Sequence, residues 1–337
     1  MGTDISNLTL SEMGKLWVTY NGNTMGECVL SYYLKHVEDD EIKQLLEYAY
    51  SLTKTFIRDI ELFFKEENFP IPVGFTKEDV NADAPRLFKD EFYPYYLQYT
   101  GKAGMSIYSA AISIVTRKDV RDFFVKCLDA TVKLTAEAND LLKAKGMLLN
   151  APKMPIPNEV DFVENQSFLN GYLGDIRPLH GLEIAHLYDN INNDITSKAL
   201  IIGFKQGTQN KKVRKFLESG EKINKNHIEK ISNKLNEENL PSPSTLDHLV
   251  TSSNIPAFSD KLMVAHKIDM FSMKIRKYAE GASLNGRRDI GALYARCLID
   301  VSLFLEDGAN ILIEHGWMEQ PPFTVNRNKL TSNEGNK

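Results

Sequence analysis

The chain contains an internal duplication. Residues 287–298 repeat the pattern of residues 117–128 at an offset of 170, and residues 237–243 match residues 66–72 at an offset of 171. A period of this length lies far outside the 20 to 50 residues of solenoid repeats, so it indicates two copies of one domain. A chain of 337 residues also suits two domains of about 150 to 170 residues better than one hydrophobic core.

Apolar spacing predicts four helices in each copy. Thr9 and Glu12 have the spacing of a capping box, and apolar residues then recur at steps of three and four. Pro70 and Pro72 end the second helix, and Gly146 suits the left-handed residue after the fourth. The predicted helices lie near residues 10–36, 41–67, 88–114 and 117–145 in the first copy, and near 179–206, 210–238, 258–284 and 287–315 in the second.

The lengths of the connections indicate the fold class. The order helix, short turn, helix, long crossover, helix, short turn, helix is that of a ferritin-like four-helix bundle. We therefore predict an all-α chain with two ferritin-like bundles, each with a long crossover between its second and third helices, packed as a pseudo-symmetric pair. The predicted parts are residues 1–150 (first bundle), 151–175 (linker), 176–318 (second bundle) and 319–337 (C-terminal tail).

Charge and hydropathy argue against two classes of partner. The net charge of -5 comes without a basic stripe, so we expect no nucleic acid partner. The longest apolar runs fall far short of the about 20 residues that span a bilayer, so we expect no membrane insertion. Of the three cysteines, Cys127 and Cys297 are repeat equivalents within predicted helices, which suits a reducing cytoplasm.

Common catalytic signatures are missing from the sequence. It contains no nucleophile elbow, phosphate-binding loop, dinucleotide fingerprint or Cys-x-x-Cys motif. We therefore assign no catalytic and no cofactor-binding residue, and a non-enzymatic role is favoured. The basic pairs Arg117-Lys118 and Arg287-Arg288 each precede an aspartate at the start of a fourth helix. Because an acid there complements the helix dipole, we interpret these pairs as structural rather than as an anion site.

The second copy carries a candidate metal site. Ferritin-like bundles can hold two metal ions between inward-facing Glu and Glu-x-x-His residues, and residues 183–186 have the sequence Glu-Ile-Ala-His. The other three predicted helices place histidines or carboxylates near apolar faces. Mixed imidazole and carboxylate donors suit iron, manganese or zinc. The candidate ligands are Glu183, His186, His227, His266, Asp269 and Asp307.

Two observations weigh against this metal site. Only one Glu-x-x-His is present, and the first copy has no histidine at the equivalent positions, so a duplicated site is excluded there. Glu12 is explained by its part in the capping box. The equivalent residues of the first copy are Glu12, Lys15, Phe56, Tyr96, Tyr99 and Glu137. The alternatives are histidines satisfied within the core or a polar network between helices. We therefore expect no cofactor, with a metal in the second bundle as the alternative.

An aromatic run marks the predicted third helix of the first copy. Aromatic residues suit interface anchors, so the first bundle is the expected contact surface, and a core position is the alternative. The run consists of Phe92, Tyr93, Tyr95, Tyr96 and Tyr99.

Several motifs resemble an uncharacterised family of proteins from endospore-forming bacteria. Its members are tandem ferritin-like bundles that are distantly similar to spore coat protein F. The resemblance runs from about Leu8 to Leu330. The motifs are Phe-Ser-Asp-Lys-Leu-Met at 258–263, Gly-Trp-Met-Glu-Gln-Pro-Pro at 316–322 followed by Arg327, Pro-Val-Gly-Phe-Thr at 72–76 and Arg-Pro-Leu at 177–179.

This resemblance implies a cytoplasmic or spore-associated protein without an established activity, so it assigns no catalytic residue. Similarity to a coat protein favours a structural or interaction role. The expected partners are other spore or coat proteins, and the resemblance is compatible with an oligomer. The alternative is a metal-binding or metal-dependent oxidoreductase-type protein that uses the second bundle only.

Overall fold

The computed structural model describes residues 7–324, so Arg327 and part of the predicted tail lie outside the described residues. The helices of the first copy are α1 (Leu10–His36), α2 (Asp40–Glu66), α3 (Phe92–Ile112) and α4 (Lys118–Ala144). Those of the second copy are α5 (Gly181–Gly207), α6 (Lys211–Glu237), α7 (Asp260–Ser283) and α8 (Arg288–Glu314). None of these helices combines the length and apolar character needed to cross a membrane. The predicted all-α duplication is confirmed.

Polar caps explain where several helices begin. The Thr9 side chain and the Glu12 carboxylate form the predicted capping box of α1. Asp39 caps α2, and Asn210 caps α6 at the equivalent position, each through its side-chain oxygen. By contrast, α4 and α8 have no side-chain cap from their own N-cap residue. Instead, backbone N–H groups at the starts of α4 and α8 donate to glutamate side chains of other helices, Glu12 of α1 and Glu183 of α5.

Residues in the left-handed conformation follow the ends of four helices, at equivalent positions in the two copies. Asn68 after α2 and Asn239 after α6 have φ values of 52° and 58°. Gly146 after α4 and Gly316 after α8 have φ values of 69° and 67°. Asparagine and glycine adopt this conformation more readily than other residues, so both copies stop their helices in the same way.

Each copy packs two helical pairs into a bundle. The pairs α1–α2 and α3–α4 are joined by short loops, and the pairs α5–α6 and α7–α8 repeat this arrangement. Long crossovers connect α2 to α3 and α6 to α7, which is the predicted order of connections.

The two crossovers pair with each other around a pseudo-twofold axis. Val80 bridges Phe258, and Phe88 bridges Val250, both in antiparallel orientation. Val250 and Phe258 are the repeat equivalents of Val80 and Phe88. Exchange of the copies therefore converts one bridge into the other, as in an isologous dimer. The bundles form the pseudo-symmetric pair that the sequence predicts.

This pairing also shifts the start of two helices. The sequence predicts that the third helices begin near residues 88 and 258, whereas α3 begins at Phe92 and α7 at Asp260. Phe88 and Phe258 are held in the bridges between the crossovers, so their backbone does not join the helices.

The aromatic run of α3 is buried, with side chains that are at most 6% exposed. The Tyr96 hydroxyl contacts His266 Nε2 at 2.7 Å, and the Tyr99 hydroxyl donates to the Met270 carbonyl at 2.7 Å. The expectation of an exposed contact surface is wrong, because the run packs inside the first bundle and against α7 of the second copy. The core position, kept as the alternative, is the one observed.

Candidate functional site

Glu183, the first candidate metal ligand, caps a neighbouring helix. Its two carboxylate oxygens each accept a hydrogen bond from Arg177 at 2.8 Å. Oε1 also accepts from the backbone N–H groups of Gly286 at 2.9 Å and Arg287 at 3.0 Å, at the start of α8. Burial alone would raise the pKa of Glu183, but Arg177 and backbone N–H donors lower it to about 2. Both oxygens are therefore already engaged in structural contacts.

Glu12 has the equivalent role in the first bundle. Its Oε1 accepts from the backbone N–H groups of Thr116 at 2.9 Å and Arg117 at 2.7 Å, at the start of α4. Burial alone would raise its pKa, but these donors and Thr9 lower it to about 2. Each copy thus ties its first helix to its fourth through one buried glutamate. Arg117 and Arg287 also pair with the aspartate two residues further on, in accord with a structural role.

The two buried histidines among the candidates face different partners. His227 contacts the Tyr278 hydroxyl through Nδ1 at 2.9 Å and the Asp300 carboxylate through Nε2 at 3.1 Å. His266 instead contacts the Tyr96 hydroxyl of the first bundle. Burial and the charge of a neighbouring lysine lower the pKa of His266 to about 3. The two rings therefore belong to separate hydrogen-bond networks.

The remaining candidates do not complete a cluster. His186 and Asp269 are partly buried, on α5 and α7, and Asp307 is exposed on α8. Within residues 7–324, no group of three or more His, Cys, Asp or Glu side chains is arranged to hold a metal ion.

Polar side chains nevertheless fill the middle of the second bundle. We call Asp194, Asn224, His227, Lys274 and Tyr278 the polar centre, and none of them is more than 2% exposed. The Asp194 carboxylate accepts from Lys274 Nζ at 2.8 Å and from the Tyr278 hydroxyl at 2.8 and 2.9 Å. Lys274 also donates to the Asn224 amide oxygen. Together with the His227–Tyr278 contact, these bonds form one connected network.

The polar centre extends in two directions. On one side, His227 Nε2 contacts the carboxylate of Asp300 on α8, and the Asp300 side chain is 37% exposed. On the other side, Asn224 donates to Ser197 Oγ at 3.3 Å, and Lys267 Nζ donates to the same oxygen at 2.8 Å. A chain of hydrogen bonds therefore connects the surface at Asp300 with the fully buried Lys267.

Burial determines the electrostatics of this network. It lowers the pKa of Lys267 well below its ordinary value and lowers that of Lys274, where the Asp194 charge opposes the shift. Burial also raises the pKa of Tyr278 well above its ordinary value. The Lys274 ammonium lies where a cation is needed to balance Asp194. The donor set does not fit a metal ion, because this ammonium already lies among its oxygen atoms.

The sequence analysis missed most of the polar centre, although the duplication carries a signal for it. At the offset of 170, Lys267 replaces Leu97 and Lys274 replaces Gly104. A lysine that replaces an apolar or very small residue at a core position of the other copy indicates a buried charge.

The first bundle has a cavity at the level of the polar centre. The cavity has a volume of about 150 Å³ and is lined by α1 to α4 and by α7 of the second copy. The first copy has Thr53 where the second has Asn224, and Gly104 where the second has Lys274. These smaller residues leave space that longer side chains fill in the second bundle.

The cavity wall is mainly apolar and carries a few buried polar atoms. Thr19 Oγ1 and His266 Nδ1 are buried and have no hydrogen-bond partner among the described residues. Val18 and Gly22 also line the cavity and are exposed, so solvent can reach it beside α1. The apolar lining includes Leu30, Ala49, Leu52, Phe56, Leu97, Ala103, Ile107, Leu134 and Met270.

The cavity interrupts the hydrophobic core of the first bundle. Phe64 and Phe124 belong to an apolar cluster at one end of this bundle. Tyr99 and Leu134 belong to a larger cluster that continues into the second bundle. Protein interiors contain few voids larger than a water molecule, so a space of this size marks the first bundle as the candidate binding site.

Each half of the chain matches the same family model. The family is described as "Protein of unknown function (DUF3231)", and the matches cover residues 3–160 and 167–330. No curated protein matches the chain. Among solved structures, the chain is similar to a candidate spore coat protein of Bacillus halodurans C-125, with 20% identity and a TM-score of 0.38, over 46% of this chain and 96% of that chain. The two family matches span nearly the whole sequence, and the chain belongs to this DUF3231 family of unknown function.

Proposed function

We propose that the protein binds a small, mainly apolar molecule in the cavity of its first bundle. The observation that carries the proposal is a space of about 150 Å³ at the centre of one bundle, at the level where the other copy has the buried side chains of Asn224 and Lys274. An apolar cavity of about 150 Å³ accommodates a molecule with about six carbon atoms, such as benzene. Ligand sites in helical bundles commonly lie between the helices.

The energetic cost of the cavity supports a binding role. A solvent-free space of about 150 Å³ would cost roughly 3 to 4 kcal/mol of stability, at about 24 cal/mol per Å³. The second copy has the longer residues Asn224 and Lys274 in place of Thr53 and Gly104, so the scaffold does not require small residues there. A ligand that occupies it would recover part of this free energy.

The binding test uses 1-hexanol, a neutral six-carbon probe, and follows the alanine methyl groups by NMR. Ala49 and Ala103 line the cavity, so their methyl signals should shift on titration. We expect a dissociation constant on the order of 1 mM, because about five methylene groups contribute roughly 0.8 kcal/mol each. No shift of these signals up to the solubility limit of the alcohol would overturn the proposal.

A matched pair of variants separates the cavity from the surface of the same helix. Ala103→Met fills the cavity with the residue that the second copy carries at this position, Met273. Ala110→Met makes the same change at an exposed position of α3. We expect Ala103→Met to abolish hexanol binding and Ala110→Met to leave it unchanged. Equal binding by both variants would place the alcohol outside the cavity.

We also propose a structural or interaction role at the spore, with other coat proteins as partners. The observation that favours it is the segment that links the two bundles. Ile156, Val160 and Phe162 in this linker are 91%, 85% and 85% exposed. Exposed apolar groups that lie close together commonly mark interaction sites. The linker therefore replaces the buried aromatic run as the expected contact surface.

The interaction role is tested by location and co-purification in sporulating cells. We expect the protein to fractionate with the spore coat and to co-purify with a coat protein. The double substitution Ile156→Ser and Phe162→Ser should remove that partner. Val73→Ser is the control, because Val73 is 68% exposed but lies in the first crossover. An even distribution through vegetative cytoplasm, without a coat partner, would contradict this role.

A further inference from the structure

The charged groups of the cavity wall restrict the kind of ligand that fits. Within residues 7–324, the ionisable residues that line the cavity, apart from tyrosines, are His266 and Asp269, and no lysine or arginine of this part lines it. An anionic ligand would find no cation in this wall. A cationic group would find the Asp269 carboxylate.

Asp269 has no close partner of its own. Within the described part of the chain, its carboxylate accepts no hydrogen bond and forms no ion pair, although it is partly buried. Two basic side chains whose charges act on Asp269 bond elsewhere: Arg276 Nε donates to Ser106 Oγ at 3.2 Å, and Lys267 Nζ donates to Ser197. The buried Arg276 Nη2 has no hydrogen-bond partner among the described residues. Burial raises the pKa of Asp269, and the charges of Arg276 and Lys267 oppose this shift. A donor supplied by a ligand would satisfy this group.

The other residues at this end of the cavity do not repel a cation. The pKa of His266, about 3, keeps its ring neutral at pH 7. Burial raises the pKa of Tyr96 and Tyr99 well above the ordinary value, so both hydroxyls remain protonated. Asp269 is the only carboxylic acid among the described residues that line the cavity.

The residues that line the cavity extend along the bundle. Its lining extends on α1 from Val18 to Leu30 and on α3 from Tyr96 to Tyr108. Twelve residues of helix correspond to about 18 Å at a rise of 1.5 Å per residue. Asp269 lines the cavity together with Tyr96 and Tyr99 of the first part of α3, towards one end of this span. A narrow apolar space with one acidic end suits an unbranched chain that carries its polar group at the end.

We propose that the ligand is an unbranched alkyl amine with about six carbon atoms, whose ammonium group binds Asp269 while its chain fills the cavity. This inference rests on the proposed binding function, because it names the ligand class of the same cavity.

The test compares three probes of equal chain length: hexylamine, 1-hexanol and hexanoate at pH 7. We expect hexylamine to bind about tenfold more tightly than 1-hexanol, since a hydrogen bond to a charged partner adds to the contacts of the chain. Hexanoate should bind most weakly, because its carboxylate would be repelled by the carboxylate of Asp269. Hexanol binding without a preference for the amine would overturn the inference and leave the proposed function intact. Absence of binding by all three probes would overturn both.

Asp269→Asn isolates the contribution of the carboxylate. We expect this variant to lose the preference for hexylamine and to bind 1-hexanol as the unchanged protein does. Asp307→Asn is the control, because Asp307 is exposed on the neighbouring helix α8. A tenfold preference that survives Asp269→Asn would show that the amine is held by another group, and the inference would fail.

Discussion

Gly104 and Lys274 occupy equivalent positions in the third helices of the two copies, 170 residues apart, and they differ in what they place inside each bundle. The Lys274 side chain crosses the core to pair with Asp194. Gly104 has no side chain, and a Cβ added there would lie 2.8 Å from Thr131 Cγ2. A side chain at Gly104 would therefore have to displace the Thr131 side chain, which is why the neighbouring Ala103 is the better position for a filling substitution.

Lys274→Met is expected to destabilise the protein strongly. It leaves the Asp194 carboxylate buried without its cation, which costs about 3 to 5 kcal/mol when one partner of a buried pair is removed. Chemical denaturation should show this loss in the free energy of unfolding. Lys225→Met is the control, because that lysine is 68% exposed. If the double substitution Lys274→Met and Asp194→Asn is no more stable than Lys274→Met alone, the unpaired carboxylate is not the cause.

Acid is expected to destabilise both bundles through Glu12 and Glu183. Each has a folded-state pKa of about 2, below the ordinary value of 4.5. A depressed carboxyl pKa contributes stability that is fully present above pH 4.5 and is lost as the pH falls towards 2. Unfolding measured across this window should show a steep fall that becomes smaller in Glu12→Gln and in Glu183→Gln. Glu218→Gln, at an exposed position of α6, is the control. An identical fall in all four proteins would contradict the assignment.

Metal content provides a third test. We expect protein purified without chelator to contain much less than one metal ion per chain, and we expect His227→Ala to leave this amount unchanged. The reason is structural: His227 is held by Tyr278 and Asp300, and both Glu183 oxygens accept hydrogen bonds from Arg177 and the start of α8. Stoichiometric iron, manganese or zinc that is lost in His227→Ala would support the metal hypothesis instead.

The features predicted well from the sequence are those that short segments specify. The helix spans follow from apolar spacing, and the capping box of Thr9 and Glu12 needs only four residues. The duplication then predicts the pairing of the copies, because equivalent elements can meet around a twofold axis. The bridges of Val80 and Phe88 with the opposite crossover depend on tertiary packing, so the late start of α3 was not predictable in the same way.

The candidate site was harder to predict because it depends on which way side chains point around each helix axis. Glu183 looked like an inward metal ligand, but it lies in the first turn of α5, where its carboxylate caps α8. Lysines are mostly exposed in proteins, so Lys267 and Lys274 did not suggest a core position. The cavity arises where side chains are small, and a sequence read one copy at a time does not show how much space they leave.

Cleavage of the linker is expected to leave the two bundles associated. The proposed boundaries place the linker at residues 151–175, and a protease site inserted after Pro157 would cut it at an exposed position. The bundles contact each other through the paired crossovers and through Tyr96 and Tyr99, which bond to α7. Size-exclusion chromatography should therefore show one species with the mass of the uncut chain. Phe88→Asp, which places a charge in one of the bridges, should release the fragments after cleavage. Separation of the unsubstituted halves would show that the linker, rather than the interface, holds the pair together.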